Sequence, residues 1–293
     1  MTCAWVFPGQ GSQATGMGAD LVETAIGQDR FATAEQILGW SVLDCCKTGG
    51  DRLSLTRYTQ PCLYTVEAIL IDLLRDRGQA PDFVAGHSLG EYSALYAAQV
   101  FDFETGLSLV KQRAELMANT ANGTMAALLG FDRDALETAI SQIEGVVLAN
   151  DNNPGQVVIS GTPAAVQQVM ETVKSKRAIQ LPVSGAFHSP LMAEAAQAFA
   201  AILQAIPFTD AICPVLANVD PNPTTEAQTL KMRLNQQMTG SVRWRETTLQ
   251  LVEQQIQTVV EIGPGNVLTG LMKRTSKALQ LHNIATLASL PTP

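Results

Sequence analysis

A five-residue segment, Gly86-His87-Ser88-Leu89-Gly90, constrains the fold of this chain more than any other feature. It fits the pattern G-x-S-x-G, in which a serine lies on a sharp turn between a strand and a helix. Residues 80–85 are short and apolar, which favours a buried strand, and residues 91–98 favour a helix. The start of a helix favours negative charge, because its backbone N–H groups point outward. The segment therefore predicts an exposed, nucleophilic hydroxyl at Ser88.

The overall composition excludes several classes of protein. The chain has 293 residues, 46% hydrophobic and 16% charged, which suits one large domain or a large domain with a small insert. A net charge of −8 argues against nucleic-acid binding, which usually requires a basic face. No apolar run approaches the roughly 18–20 residues that span a membrane, and the N-terminus has no signal-peptide pattern. Five cysteines without metal-ligand spacing indicate reduced thiols, so we expect a cytoplasmic protein.

A glycine-rich loop follows the first predicted strand, Cys3–Phe7. Its glycines at positions 9, 11, 16 and 18 do not form G-x-G-x-x-G, and no G-K-[ST] is present, so a dinucleotide or P-loop site is disfavoured. The alternative is a loop whose backbone approaches a substrate. We therefore predict neither a cofactor nor a metal.

Two helices are predicted on either side of the Ser88 segment. Apolar residues recur at helical spacing over residues 60–77, which predicts an amphipathic helix with Pro61 in its first turn. A second helix is expected to begin after Asp102, a good N-cap, and to carry Arg113 and Met117. Arg113 lies near the edge of the apolar stripe, so it is either a solvated surface residue or a residue that faces a cleft.

Residues 124–183 show a different pattern from the rest of the chain. Their predicted order is β-α-β-β-α-β, with a turn at residues 150–155, which is typical of a ferredoxin-like unit. We predict an α/β protein in which residues 123–186 form a small insert. Residues 1–122 and 187–293 would then form the larger body.

A serine nucleophile needs a base, and the chain has only three histidines. His87 is adjacent to Ser88 on a tight turn and would point away, and His282 lies in a polar stretch. His188 lies in a small-residue loop at the exit from the predicted insert, where a cleft between domains is expected. No Asp or Glu stands out as the third member of a triad. A backbone carbonyl or a side-chain amide could orient the imidazole instead.

Four segments in this order resemble the malonyl-CoA:acyl-carrier-protein transacylase family: residues 7–13 (FPGQGSQ), 86–92 (GHSLGEY), 185–189 (GAFHS) and 261–268 (EIGPGNVL). The resemblance spans nearly the whole chain. It implies an α/β-hydrolase-like parallel-sheet body with an inserted ferredoxin-like domain. The one departure noted is Asn266, where the family often has lysine, and no effect on the chemistry is expected from it.

The resemblance also implies roles for individual residues. Ser88 would accept the acyl group, and His188 would act as general base and then as general acid. The main-chain carbonyl of Gln237 would hold His188. The remaining expected residues are the oxyanion-hole N–H donors Gln10 and Leu89, and the substrate-binding residues Arg113, Phe187 and Met117. Arg113 would pair with the free carboxylate of malonyl, and the Phe187 ring would exclude a branched donor.

The resemblance implies malonyl-CoA and holo acyl carrier protein as partners, and a role in supplying extender units for fatty acid synthesis. We expect the protein to be a monomer. Both partners are anionic, so a local basic patch would receive them, although each candidate cluster could equally be solvated charge. The candidate residues are Lys174, Lys176, Arg177, Lys273, Arg274 and Lys277. Three alternatives stay open: a serine thioesterase or esterase, an acyltransferase for a branched malonyl donor, and a non-catalytic module that docks a carrier protein.

Overall fold

The computed structural model describes residues 2–120, 122–183 and 185–292. Within these ranges the strands form two separate sheets. The strands are β1 (Cys3–Phe7), β2 (Phe83–Gly86), β3 (Thr124–Phe131), β4 (Val146–Asn153), β5 (Gln156–Gly161), β6 (Ser175–Gln180), β7 (Val215–Leu216), β8 (Thr258–Ile262) and β9 (Gln280–Ile284).

Helices surround both sheets in the described parts of the chain. They are α1 (Ala25–Leu38), α2 (Val42–Thr48), α3 (Gly50–Ser54), α4 (Thr56–Asp76), α5 (Gly90–Ala97), α6 (Phe103–Ala118), α7 (Arg133–Gln142), α8 (Pro163–Thr172), α9 (Ala193–Ala205), α10 (Ala227–Gln237), α11 (Trp244–Glu253) and α12 (Val267–Thr275). Three short 3₁₀ turns lie at Leu21–Glu23, Pro190–Met192 and Leu287–Ser289.

The larger sheet is parallel and has the order β7-β2-β1-β8-β9. Its central strand β1 is almost entirely buried, as expected for a parallel sheet that helices cover on both faces. Because the carboxyl ends of β1 and β2 are neighbours, the glycine-rich loop after β1 lies beside the turn that follows β2. This edge of the sheet carries Gln10 and Ser88.

Helix α4 differs from its prediction in position and in environment. It begins at Thr56, so Pro61 lies inside the helix and not in its first turn. Nearly all of its residues from Thr59 to Leu74 are buried, because α1, α5 and α6 pack around it. Polar residues of the helix are buried along with the apolar ones; Glu67, for example, accepts a hydrogen bond from Ser93. The helix is therefore a central core element.

The predicted strand–turn–helix unit around Ser88 is present, although its strand begins at Phe83 and not at residue 80. Ser88 has a φ of 52°, in the left-handed region that side chains rarely adopt. Its flanking glycines have no room for a side chain. A Cβ at Gly86 would lie 1.9 Å from the backbone carbon of Gly90, and one at Gly90 would lie 2.0 Å from the Phe7 carbonyl oxygen.

The smaller sheet is antiparallel, with the order β4-β5-β3-β6. Helices α7 and α8 cover its buried face through a separate hydrophobic cluster. The β-α-β-β-α-β order and this strand arrangement confirm the predicted fold class, a parallel α/β body with a ferredoxin-like insert. The exact boundaries of the insert, residues 123–186, stay a prediction.

The expected turn at residues 150–155 is wrong for most of its length. Strand β4 continues through Asn153, with bulges at its end, and only Pro154 and Gly155 form the turn. The polar residues of this extension are buried against the body. Asp151 N donates to the Val242 carbonyl, and the Asp151 carboxylate binds Arg133 and Arg245, each at 2.8 Å. Residues of this composition usually lie in exposed turns, where water satisfies their polar groups. Here hydrogen bonds to distant residues satisfy them instead.

Candidate active site

Ser88 and His188 lie together although 100 residues separate them in the chain. Ser88 Oγ is 2.7 Å from His188 Nε2, which is hydrogen-bond distance. Ser88 follows β2, whereas His188 lies just before the 3₁₀ turn Pro190–Met192. His188 also has a positive φ, of 57°, and its side chain is buried. Two strained backbone positions therefore hold the hydroxyl and the imidazole in contact.

Backbone carbonyls orient the imidazole of His188. Its Nδ1 lies 2.9 Å from the Gln237 carbonyl oxygen and 3.2 Å from that of Gly240. Both acceptors require a proton on Nδ1, which leaves the Nε2 lone pair directed at Ser88. Burial and the nearby Arg113 charge lower the pKa of His188 to about 3. The imidazole is therefore neutral at pH 7 and can accept the Ser88 proton.

The buried side chain of Arg113 faces the same cleft, so the surface interpretation of this residue is wrong. It is 1% exposed, and its Nη2 lies 3.0 Å from Ser88 Oγ. Amide oxygens hold the guanidinium: Nη1 donates to Gln60 Oε1 at 2.8 Å, and Nη2 donates to Gln237 Oε1 at 3.0 Å. Within the described residues no carboxylate pairs with Arg113, and its Nε lacks a hydrogen-bond partner. Such a cation suits an anionic ligand.

The N–H groups of Gln10 and Leu89 are free to bind a ligand. Neither donates a hydrogen bond to any acceptor in the described portions of the chain. Both residues line the cleft that Ser88 opens into. Leu89 is the N-cap of α5, so its N–H lies at the positive end of that helix. Two free N–H groups beside a nucleophile are what an oxyanion hole requires.

The cleft lies between the parallel body and the antiparallel sheet and has a volume of about 100 Å³. Ser88, His188, Arg113, Gln10 and Leu89 all line it. Apolar side chains from both parts of the protein close the remaining walls, among them Phe187, Met117, Met125, Val158 and Leu181. Phe187 and Met117 are buried, at 6% and 2% exposure. The cleft therefore admits a small acyl group at its base.

The other two histidines lie where the sequence analysis placed them. The His87 ring points away from Ser88 toward the insert, where its Nε2 is 2.8 Å from Asn152 Oδ1. Its edge packs against the ring of Trp244. His282 is exposed on β9. Only His188 is positioned to act on Ser88.

Sequence reasoning missed four residues that support the site. Asn218 Oδ1 accepts from Ser88 N at 2.7 Å, and Glu91 Oε2 accepts from both Asn218 N and Gln237 Nε2. Gln60 holds Arg113, and Gly240 shares His188 Nδ1. Only Glu91 lies in a segment that the motifs single out. The other three come from distant parts of the chain, and no local pattern marks them.

In residues 2–120, 122–183 and 185–292, no group of three or more His, Cys, Asp or Glu side chains is arranged to hold a metal ion. None of the helices described is both long and apolar enough to cross a membrane.

A serine hydrogen-bonded to a buried histidine, beside two free N–H groups and an arginine without a carboxylate partner, is an arrangement that suits serine acyl transfer. The chain belongs to the acyl transferase domain family, whose model matches residues 4–292. It is 59% identical over 290 residues to a malonyl CoA-acyl carrier protein transacylase of Synechocystis sp., covering 99% of both proteins. The crystal structure of a Synechocystis malonyl-CoA:ACP transacylase superposes with a TM-score of 0.97, also over 99% of each chain.

A third similar protein has been solved together with its partner. It is a malonyl-transacylase in complex with a holo acyl-carrier protein of a type II polyketide synthase. Its sequence is 37% identical to this chain, with a TM-score of 0.94 and coverage of 99% and 97% of the two chains.

Proposed function

We propose that this chain transfers a malonyl group from malonyl-CoA to the phosphopantetheine thiol of acyl carrier protein, through a malonyl ester on Ser88. The observation that carries the proposal is the position of Arg113, a buried guanidinium without a carboxylate partner, 3.0 Å from Ser88 Oγ. Malonyl is a short acyl group that ends in a carboxylate. A planar guanidinium can bind that carboxylate with two charge-assisted hydrogen bonds.

The first half-reaction forms the acyl-enzyme. His188 Nε2 takes the proton of Ser88 Oγ, and the oxygen attacks the thioester carbonyl of malonyl-CoA. The carbonyl oxygen becomes negative and is bound by the N–H groups of Gln10 and Leu89. Collapse of this intermediate breaks the C–S bond, and the proton on His188 passes to the departing thiol of coenzyme A.

The second half-reaction repeats these steps in reverse with a different thiol. The phosphopantetheine thiol of acyl carrier protein gives its proton to His188 and attacks the ester carbonyl of malonyl-Ser88. The same two N–H groups bind the oxyanion, and Ser88 leaves with the proton. The removal of one oxyanion-hole donor typically costs about 2.7–4 kcal/mol of transition-state stabilisation. Gln10 and Leu89 together therefore supply a large part of the catalysis.

His188 needs no acidic partner for these steps. The carbonyls of Gln237 and Gly240 fix its tautomer, which is the geometric role of the triad acid. They stabilise the imidazolium less than a carboxylate would. The malonyl carboxylate compensates in part, because it neutralises Arg113, whose charge lowers the pKa of His188 in the free protein.

Water competes with the acceptor thiol for the acyl-enzyme, and this competition separates the proposal from a thioesterase. Phe187, Met117, Met125, Val158 and Leu181 give the cleft an apolar side, which favours an acyl chain over water there. The product is malonyl-acyl carrier protein, the extender unit for fatty acid synthesis.

Intact-mass spectrometry after mixing with malonyl-CoA tests the function. We expect a mass increase of one malonyl group, located on Ser88, that is lost when holo acyl carrier protein is added. The Ser88→Ala variant should remain unlabelled, whereas Ser93→Ala, which changes a buried serine of α5 outside the cleft, should label normally. Release of free malonate without an acceptor thiol would identify a hydrolase instead. Label retained by Ser88→Ala would indicate another nucleophile.

Three further assignments belong to the proposal. The insert spans residues 123–186, and the body comprises 1–122 and 187–293. The protein acts as a monomer. It acts in the cytoplasm, and its five free cysteines are consistent with that compartment. The basic clusters at Lys174–Arg177 and Lys273–Lys277 are exposed and are the candidate contacts for the anionic carrier protein.

A further inference from the structure

Glu91 is a buried carboxyl group that lies behind the cleft and does not line it. It is 1% exposed and is in the first turn of α5, three residues after Ser88. One oxygen, Oε2, accepts two hydrogen bonds, from Gln237 Nε2 at 2.8 Å and from Asn218 N at 3.0 Å. Each of these two partners also contacts the site directly. Glu91 therefore links two partners that each hold the Ser88 backbone.

The first connection runs through the side-chain amide of Gln237. Its Nε2 donates to both Glu91 Oε2 and the Ser88 carbonyl oxygen, which uses both amide hydrogens. The amide oxygen is consequently turned toward Arg113 and accepts from Nη2 at 3.0 Å. If the amide were reversed, its NH₂ group would face the guanidinium and Arg113 would lose an acceptor. Glu91 and the Ser88 carbonyl together thus fix which end of Gln237 faces Arg113, and Glu91 is the side chain of the two acceptors.

The second connection runs through Asn218. Glu91 holds its backbone N–H, and the Asn218 side chain then spans the Ser88 turn. Its Oδ1 accepts from Ser88 N at 2.7 Å, and its Nδ2 donates to the Gly86 carbonyl oxygen at 2.5 Å. This side chain supports the left-handed backbone of Ser88.

The placement of the carboxylate also keeps Arg113 available. A glutamate in direct contact with the guanidinium would occupy the donors that an anionic substrate needs. The interposed amide supplies an acceptor without neutralising the arginine. No carboxylate in the described residues lies within salt-bridge distance of Arg113. The positive charge of Arg113 therefore remains available to a ligand in the cleft.

We propose that Glu91 is a positioning residue that sets selectivity for donors with a terminal carboxylate, because it orients the Gln237 amide and thereby the Arg113 guanidinium. The inference rests on the proposed function. It assigns Glu91 a role as a hydrogen-bond acceptor at one fixed position, and not as a charge. Donors that lack the terminal carboxylate do not use Arg113 in this way, so they should be less sensitive to Glu91.

Two substitutions separate position from charge. Glu91→Gln keeps an oxygen acceptor at the same reach and removes the charge. Glu91→Asp keeps the carboxyl group but withdraws its oxygens by one methylene group. Glu67→Asp is the matched control, because it makes the same change at a buried carboxyl that contacts Ser93 and lies outside the cleft. For each variant, kcat/KM of the transfer reaction is measured with malonyl-CoA and with acetyl-CoA.

We expect Glu91→Asp to lower the ratio of malonyl to acetyl kcat/KM by on the order of tenfold to a hundredfold, as for a lost buried hydrogen-bond acceptor. Glu91→Gln should keep the ratio within about threefold of the parent, and Glu67→Asp should change both donors in proportion. If Glu91→Asp does not fold, Gln237→Leu breaks the same connection from the other end and should lower the ratio in the same direction.

A proportional loss for both donors in Glu91→Asp, or a ratio in Glu91→Gln that falls as far, would overturn the role of Glu91. An unchanged ratio in Glu91→Asp would overturn it as well. These outcomes are distinct from failure of the proposed function, because the parent protein would still form malonyl-Ser88 and transfer it to the carrier protein.

Discussion

The guanidinium of Arg113 lies 3.0 Å from the hydroxyl oxygen of Ser88, and both groups face one cleft. Burial lowers the pKa of Arg113, since a charge without water or a counterion is unfavourable. Amide oxygens of Gln60 and Gln237 compensate only in part. On the proposed function, a substrate carboxylate would supply this counterion at a fixed distance from Ser88 Oγ, so recognition and reaction would occur in the same place.

Arg113→Ala should lower kcat/KM for malonyl-CoA much more than for acetyl-CoA. The loss of one partner of a buried charged pair costs on the order of 2–5 kcal/mol, or about 30-fold to several thousandfold. Acetyl has no carboxylate to pair with Arg113 and should lose far less. Steady-state transfer assays with both donors measure the change.

Two further variants serve as controls for Arg113→Ala. Arg57→Ala removes an exposed arginine of α4 that does not line the cleft, and it should leave both donors unchanged. Arg113→Lys keeps the charge but not the planar donor pair, so malonyl transfer should stay well below that of the parent. If Arg113→Ala kept the parent's preference for malonyl, Arg113 would not be the carboxylate-binding residue.

Phe187→Leu should increase transfer from methylmalonyl-CoA relative to malonyl-CoA. Phe187 lines the cleft beside His188, and a smaller side chain leaves space for a methyl branch. A methyl group in an apolar pocket is worth about 1–3 kcal/mol, so we expect a change of roughly tenfold or more in the ratio. Phe199→Leu, at a buried phenylalanine that does not line the cleft, should leave the ratio unchanged. An unaltered ratio in Phe187→Leu would mean that this ring does not limit the donor.

The acylation rate should not decline near pH 6.5, where an ordinary histidine gains its proton. The pKa of His188 is lowered to about 3 in the free protein, so the base stays neutral on acidification. We expect kcat/KM for acetyl-CoA to be level from pH 8 to about pH 5. In Arg113→Ala the repulsive charge is gone, so the acidic decline should move to higher pH. A decline at pH 6.5 in the parent would show that His188 is not desolvated.

The same pKa shift affects stability in a defined direction. Unfolded His188 binds a proton below about pH 6.5, whereas the folded protein does so only near pH 3. The unfolded state therefore binds more protons between these values, and the contribution of His188 to stability falls as the pH falls through this window. The free energy of unfolding of His188→Gln, relative to that of the parent, should therefore increase as the pH is lowered from 7.5 to 5. Urea titrations at the two pH values measure the difference.

Gly90→Ala should destabilise the protein and slow acylation. A Cβ at Gly90 would lie 2.0 Å from the Phe7 carbonyl oxygen, so β1 and its loop with Gln10 must move away from the Ser88 turn. We expect a loss of several kcal/mol, as for other severe backbone clashes. Gly270→Ala makes the same change in α12, where nothing lies within 4 Å, and should stabilise by about 0.5–1 kcal/mol. Thermal unfolding of both variants tests the contrast, and equal melting temperatures would contradict it.

The elements that the sequence predicted correctly are those with strong local signals. Gly86 and Gly90 mark the turn around Ser88, and Asp102 caps α6 through Thr105 N as its position indicates. The order of strands and helices in residues 124–183 was also predicted correctly, because alternating and helical periodicities are properties of short segments. The errors lie where distant parts of the chain meet. Residues 150–153 have a turn composition, yet the body extends them as a strand.

The sequence by itself determined the nucleophile's local setting, the fold class and, through four motifs, the family. Only the tertiary structure decided that Arg113 faces inward, that the Gln237 side-chain amide lies between Glu91 and Arg113, and that Asn218 supports the Ser88 turn. The physical reason is that local backbone preferences depend on neighbours within a few residues. The direction of a buried side chain, in contrast, depends on which hydrogen-bond partners distant segments bring to it. Gln237 reaches Ser88 across 149 positions, and no local pattern encodes such a contact.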